Sequence, residues 1–224
     1  MEEDGRTFFT RFAQNYDKIS KTLSAGLDNI WRRSVVELAG GRHEARILDV
    51  ATGTGSIAIM LAKKYKGYKI VGIDFNREML LVAKKKSEGL KNVRYLEGDV
   101  ESLKLRKGSF DMVVTGFSLG NFEDLPRAIE QMRKVLRPNG TLMLLDINKR
   151  HSKTLARLLS FYHLLSLTPA FSSDTRHEIN LYIHSEASQV DKEMLIQLLV
   201  QKGFREIRSK DLSFKAVFIV TCKK

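Results

Sequence analysis

The chain has 224 residues, with 38 Lys and Arg against 26 Asp and Glu, a net charge of +12, and 43% hydrophobic content. That length supports one sizeable core, and no apolar run approaches the roughly 20 residues a membrane-spanning helix needs, so one globular domain is expected. Cys222 is the single cysteine, which excludes an internal disulfide framework and a thiolate metal cluster and argues against a catalytic thiol.

The first element is FFTRFAQNYDKI, where Phe8, Phe12 and Tyr16 fall at i, i+4, i+8 on one stripe, which predicts one short helix lying over the carboxyl edge of the sheet that the following strands form. The opening MEEDGRTFFTRF lacks the basic-then-apolar layout of a secretory signal, so a cytoplasmic location is expected. Five short runs rich in Val, Ile and Leu then alternate with helical patterns. Strands are expected at 46–50, 69–74, 92–97, 110–115 and 141–147, since buried parallel strands read as near-continuous apolar runs. The helices between them are expected at 55–65, after a glycine turn; at 76–88, opening at Asn76 and closing at Gly89; and at 124–136, ending at the turn RPNG. Residues 149–188 form an insertion. Its segment KTLARLLSFYHLLSL confines Lys153, Arg157, Ser160 and His163 to one narrow stripe, which suits a lid over an apolar substrate, a membrane-surface helix or a core helix alike. A helix from Gln189 to Lys202 and the hairpin within REIRSKDLSFKAVFIVTC close the chain.

This alternation predicts an α/β fold, Rossmann-like and doubly wound, with a mostly parallel sheet and a C-terminal antiparallel hairpin strand. The expected organisation is one domain over 1–224: a helical cap (1–40), a ligand-binding core (41–148), the insertion or lid (149–188), and the closing helix and hairpin (189–224).

Open sheets of this kind bind ligands at the carboxyl ends of their strands. In ILDVATGTGSIA, Gly53 and Gly55 stand at the first such end, where bare backbone and the N–H groups of the next helix can approach a ligand. Asp74 ends the second strand, about 20 residues on, where a carboxylate accepts ribose hydroxyls. GTGSIA also fits the dinucleotide pattern G-x-G-x-x-A. Against that reading, the Asp49 charge would crowd a pyrophosphate but suits a ligand carrying an ammonium and a sulfonium. Asp99, in EGDVESL, can accept from an adenine amino group with Val100 against the ring, and the chain has no second mononucleotide half.

In this order and spacing, LDVATGTGSIA, GIDFNREML, GDVESL, SFDMVVTGFSLGNF and VLRPNG resemble the class I S-adenosylmethionine-dependent methyltransferases. RFAQNYDKIS and GFSLGNF are similar, within that class, to the ubiquinone/menaquinone biosynthesis C-methyltransferase family. The resemblance implies that Asp49, Ala51, Gly53, Thr54 and Gly55 line the methionine part of S-adenosylmethionine and that Asp74 holds the ribose. It further implies Phe75 and Met79 at the adenosine, Asp99 and Val100 at the adenine, Thr115 and Gly116 at the methyl, and Tyr16 closing over the donor. Two departures stand out. Gly120 occupies the place of an arginine that, by the resemblance, assists removal of the ring proton, and FKAVFIVTCKK replaces a basic, glycine-containing end.

Methyl transfer from a sulfonium needs chiefly alignment, which contributes about 7–11 kcal/mol in favourable cases, and needs a base only where the acceptor arrives protonated. Candidate catalytic residues are Tyr16 and Asn121, with His177 foremost among His151, His163, His177 and His184. Asp174, Glu178 and Glu186 lack a clean ligand spacing, so no metal is expected. The expected acceptor is a small or lipid-like molecule such as a quinone-type ring, with S-adenosylhomocysteine as the product and a membrane surface as a further partner. The sequence says nothing of oligomeric state. An RNA methyltransferase or a nucleotide-binding protein keeping only the fold remain as alternatives. The positive charge suits a nucleic acid, but it is scattered over Arg32 and Arg33, Lys63 and Lys64, Lys84 to Lys86 and elsewhere, as on a solvated basic surface.

Overall fold

The computed structural model describes residues 5–151 and 190–224, with side chains from Phe9 onward. Three helices, α1 (Gly5–Phe12), α2 (Tyr16–Leu23) and α3 (Leu27–Leu38), precede the first strand. Then come β1 (Arg46–Val50), α4 (Ser56–Lys64), β2 (Lys69–Asp74), α5 (Arg77–Lys86), β3 (Val93–Glu97), β4 (Phe110–Gly116), α6 (Leu125–Val135) and β5 (Leu136–Ile147). Past the undescribed 152–189, α7 (Lys192–Gln201), β6 (Arg205–Leu212) and β7 (Val217–Lys223) complete the order, giving one seven-stranded sheet arranged β3-β2-β1-β4-β5-β7-β6. Strands β1 to β5 pair in parallel, while β7 runs antiparallel to both β5 and β6.

The period of two in each strand sends alternate residues to opposite faces. From β1, Leu48 and Val50 join Val71, Val113, Leu142, Ile129, Met132 and Leu199 under α6 and α7. Ile47 joins Ile70, Met112, Val114, Trp31, Val35 and Leu61 under α3 and α4. Both faces are covered, so the central strands read as unbroken apolar runs. Helix starts are fixed by side chains that accept free N–H groups: Asn76 from Met79 (3.1 Å), Asp124 from Arg127 (2.9 Å), and Asp191 from Glu193 and Met194 (3.0 and 3.1 Å).

The structure departs from the sequence reading at two places. The N-terminal stripe is not one helix. The Asn15 N–H donates to the Phe12 carbonyl at 2.9 Å in a turn over residues 13–15, so Phe12 ends α1 and Tyr16 begins α2. Asn15 is a turn-former that competes with helix continuation. Likewise, RPNG does not separate α6 from its strand. Leu136 is already paired with Phe110, and the next pair is Met112 with Thr141, so residues 137–140 loop out as a bulge with Asn139 at φ +60°. The apolar Leu136, fully buried, belongs to the sheet even though the turn residues behind it do not.

Candidate active site

The order β3-β2-β1-β4 reverses direction between β1 and β4, and the four carboxyl ends there open into one cleft. At the β1 end, Asp49 is 2% exposed, and its Oδ2 accepts from the Thr52 hydroxyl (2.6 Å) and the Ala58 N–H (3.1 Å). Its Oδ1 has no donor among the described residues. Burial pushes this carboxyl up to about 7; the Thr52 and Ala58 bonds oppose the rise, the Asp74 charge adds to it, and the Arg32 charge opposes it. The chain then turns through Ala51 at φ +50° and Gly53 at φ +54°; a Cβ on Gly53 would meet nothing within 4 Å, because the space beside it is the cleft. A non-glycine residue held at positive φ is strained, and such strain collects at functional sites.

At the β2 end, the Asp74 carboxylate accepts the Gly53 N–H (2.7 Å) and the Asn76 N–H (2.9 Å), which pins the glycine turn to the next strand. Burial raises its pKa against those two bonds. Four lone-pair sites leave room for two more donors. Phe75 and Met79 follow along the same wall. At the β3 end, Asp99 accepts the Glu101 N–H through Oδ1 (2.9 Å), Val100 packs beside it, and both line the cleft. At the β4 end, Gly116, Phe117 and Ser118 form the opposite wall and lead to Asn121.

Helices α1 and α2 cover this floor. The Asn76 amide donates to the Thr10 hydroxyl (2.9 Å), the Thr54 hydroxyl to Asp17 (2.5 Å), and Lys86 pairs with Asp17. Tyr16 is half-buried with its ring edge-on to Phe9 at 6.0 Å, and desolvation raises its phenol above the ordinary range.

The structure therefore brings Asp49, Ala51, Gly53, Thr54, Asp74, Phe75, Met79, Asp99, Val100 and Gly116 to one cleft, with Tyr16 and Asn121. Gly55 and Thr115 stand behind its wall. Gly55 caps α4 at φ +78°, where a Cβ would meet Tyr95 Oη at 2.6 Å. The fully buried Thr115 hydroxyl donates to the Val50 carbonyl at 2.7 Å. Cys222 lies in the core with its thiol pushed up to about 12, so it is packing rather than chemistry. The His177, His163 and His184 candidates, the Lys153, Arg157 and Ser160 stripe, and the acidic group Asp174, Glu178 and Glu186 lie outside the described residues.

Sequence reasoning placed Arg32 on a solvated basic surface; it is instead 6% exposed, lines the cleft and pairs with Asp28. The signal was present in LDNIWRR, where Asp28 and Arg32 lie four apart on the face that also carries Trp31 and Val35. Thr52, Phe117 and Ser118 also line the cleft without having been singled out.

The model of the ubiE/COQ5 methyltransferase family matches residues 2–224. The chain belongs to that family. It is an S-adenosylmethionine-dependent methyltransferase. Among relatives, it is 42% identical over 140 residues to the demethylmenaquinone methyltransferase of Thermus thermophilus, a match covering 62% of this chain and 63% of that protein. It is 30% identical over 214 residues to that of Thermotoga maritima, covering 94% of this chain and 89% of the relative. A solved S-adenosylmethionine-dependent methyltransferase from Aquifex aeolicus superposes with a TM-score of 0.68 at 20% identity, over 92% of this chain and 97% of that one. At that identity it speaks for the fold, a class I methyltransferase sheet with its antiparallel end.

Proposed function

We propose that this methyltransferase holds S-adenosylmethionine in the cleft and methylates a ring carbon of a quinone-type, lipid-like acceptor. The observation that carries the donor site is the meeting of three acidic strand ends at one bare-backbone turn. Asp49 Oδ1 and the unused lone pairs of Asp74 and Asp99 suit an ammonium, two ribose hydroxyls and an adenine amino group in turn. Ala51, Gly53 and Thr54 then border the methionine chain, Phe75, Met79 and Val100 the adenosine, and Gly116 the methyl. Gly55 and Thr115 support this wall from behind. When bound, the donor supplies an electrophilic methyl and leaves as S-adenosylhomocysteine.

Tyr16 keeps its proton at neutral pH, since its phenol is pushed above the ordinary range, so its role is to donate a hydrogen bond and orient rather than to act as a base. Asn121, an amide, orients as well. A base for the ring proton falls to His177 or a neighbour in 149–188, which this reading treats as a lid on a single catalytic unit. The names of the relatives support the quinone assignment. The reading places the enzyme in the cytoplasm, drawing its acceptor from a membrane surface. No described helix is long and apolar enough to cross a membrane, and the described residues hold no cluster suited to a metal.

Calorimetric titration tests the donor site: S-adenosylhomocysteine should bind and NAD should not. Methyl transfer to demethylmenaquinone, followed by mass spectrometry, tests the acceptor. Binding of NAD alone would overturn the first half, and transfer to RNA but not to the quinone would overturn the second.

A further inference from the structure

Arg32 is the one cation buried in the wall of the cleft among the described residues, and Asp28 uses only part of it. Asp28 is itself fixed by the Ser24 hydroxyl (3.0 Å) and the Ser20 hydroxyl (3.1 Å), so the α2–α3 junction builds a rigid mount for the guanidinium. Only Nη1 reaches Asp28; Nη2 and Nε have no hydrogen-bond partner among the described residues. The group stacks over the Phe117 ring at 5.1 Å, and Phe117 is held there at φ +61° against Trp31. A side chain that is 7% exposed, with its two free nitrogens open only to the ligand cleft, is placed to donate to an acceptor bound there.

The position narrows what that acceptor is. Phe117 follows β4, the neighbour of β1 on the side away from β2 and β3, so Arg32 stands at the Asp49 end of the cleft and away from Asp99. Asp49 keeps Oδ1 unfilled at that same end, and the Arg32 charge bears on it. One free carboxylate oxygen and one free guanidinium edge form the complement of an amino-acid zwitterion, since a planar fork is matched to a carboxylate. We infer that Arg32 binds the α-carboxylate of the methionine part of the donor while Asp49 takes its α-ammonium. This inference rests on the donor-site reading above and adds a binding residue to it.

The test compares S-adenosylhomocysteine with its decarboxylated analogue, S-adenosyl-3-thiopropylamine, by calorimetry. Wild-type protein should bind the parent more tightly than the amine. Arg32→Met should weaken S-adenosylhomocysteine by ten- to a hundredfold and leave the amine unchanged or tighter, and Arg32→Lys should recover part of the loss. Because Arg32→Met strands Asp28, the pair Asp28→Asn with Arg32→Met is measured as well; it removes the orphaned charge and should show the same ligand discrimination. Equal weakening of both ligands in that pair would make Arg32 a structural residue and overturn the inference. So would unchanged binding of both, including the case in which only the KM of the methyl acceptor rises. Wild-type protein that binds neither ligand would instead overturn the donor-site reading itself.

Discussion

Two buried aspartates at the carboxyl edge of the sheet, Asp49 on β1 and Asp146 on β5, are each 2% exposed, and burial pushes both carboxyls up to about 7. They differ in what their oxygens do. Asp146 spends both on the fold, taking the Leu119 N–H at 2.9 Å and the Ile147 N–H at 2.7 Å, and thereby fixes the turn that carries Asn121. Asp49 anchors through Oδ2 alone and leaves Oδ1 toward the cleft. Similar burial thus accompanies a fixed corner of the scaffold in one place and the proposed ammonium contact in the other, and unfilled valence separates the two.

The largest effect that sharpens this contrast is on stability. Asp146→Ala strands two N–H groups in the interior, each costing about 1–3 kcal/mol, and should lower the unfolding free energy by about 2–4 kcal/mol. Its affinity for S-adenosylhomocysteine should stay within about twofold. Denaturant melts with calorimetry on the same sample check both; lost affinity at intact stability would mean that Asp146 reaches the ligand. Next comes Asp74→Ala, expected to weaken S-adenosylhomocysteine by ~1.5–3 kcal/mol through lost charge-assisted hydrogen bonds. An unaltered dissociation constant would remove Asp74 from the ribose.

A smaller effect follows from pH. Both carboxyls bind a proton more tightly in the fold, near 7, than at the ordinary 3.8, so the folded chain carries the extra protons between those values. Their contribution is fully present below about pH 4 and is lost as pH rises through 7, with a slope of at most about 1.4 kcal/mol per pH unit for each group. An ammonium bound at Asp49 favours its carboxylate. S-adenosylhomocysteine affinity should therefore rise from pH 6 to 8, and Asp49→Asn should flatten that profile while Asp146→Asn leaves it intact. Titrations at three pH values decide it.

The left half of the sheet was legible in the sequence because one rule governs each position. A strand end followed by glycine, or by an acid, has few alternatives, and β1, β2 and β3 supplied all three acids in order. The N-terminal cap was less legible because the i, i+4, i+8 apolar stripe outweighs a single weak local signal, the turn-forming Asn15, which also occurs inside helices. Arg32 is less legible for a different reason: composition puts arginine on the surface, and although its i, i+4 spacing from Asp28 on the Trp31 face points inward, the packing of its guanidinium over Phe117 is tertiary. The resemblance sets Gly55 beside Gly53 at the ligand; what demands a glycine there, besides its φ of +78°, is Tyr95, from a strand some 40 positions away in sequence, which no local pattern reveals.

That last pair offers the smallest and most discriminating test. Both glycines hold positive φ, +54° at Gly53 and +78° at Gly55, so alanine at either costs about 1–2 kcal/mol of backbone strain. Beyond strain the two diverge. The added methyl of Gly53→Ala enters open space at the cleft, so the fold should lose only the strain while S-adenosylhomocysteine binding falls. The methyl of Gly55→Ala meets Tyr95 Oη at 2.6 Å and Ala83 Cβ at 3.0 Å, so stability should fall further and ligand affinity less. Tyr95→Phe removes the hydroxyl and should restore part of the stability of Gly55→Ala while doing nothing for Gly53→Ala, a coupling that a double-mutant cycle reads directly. Rescue of both variants, or of neither, would mean that the two glycines do not divide the turn into a ligand side and a packing side.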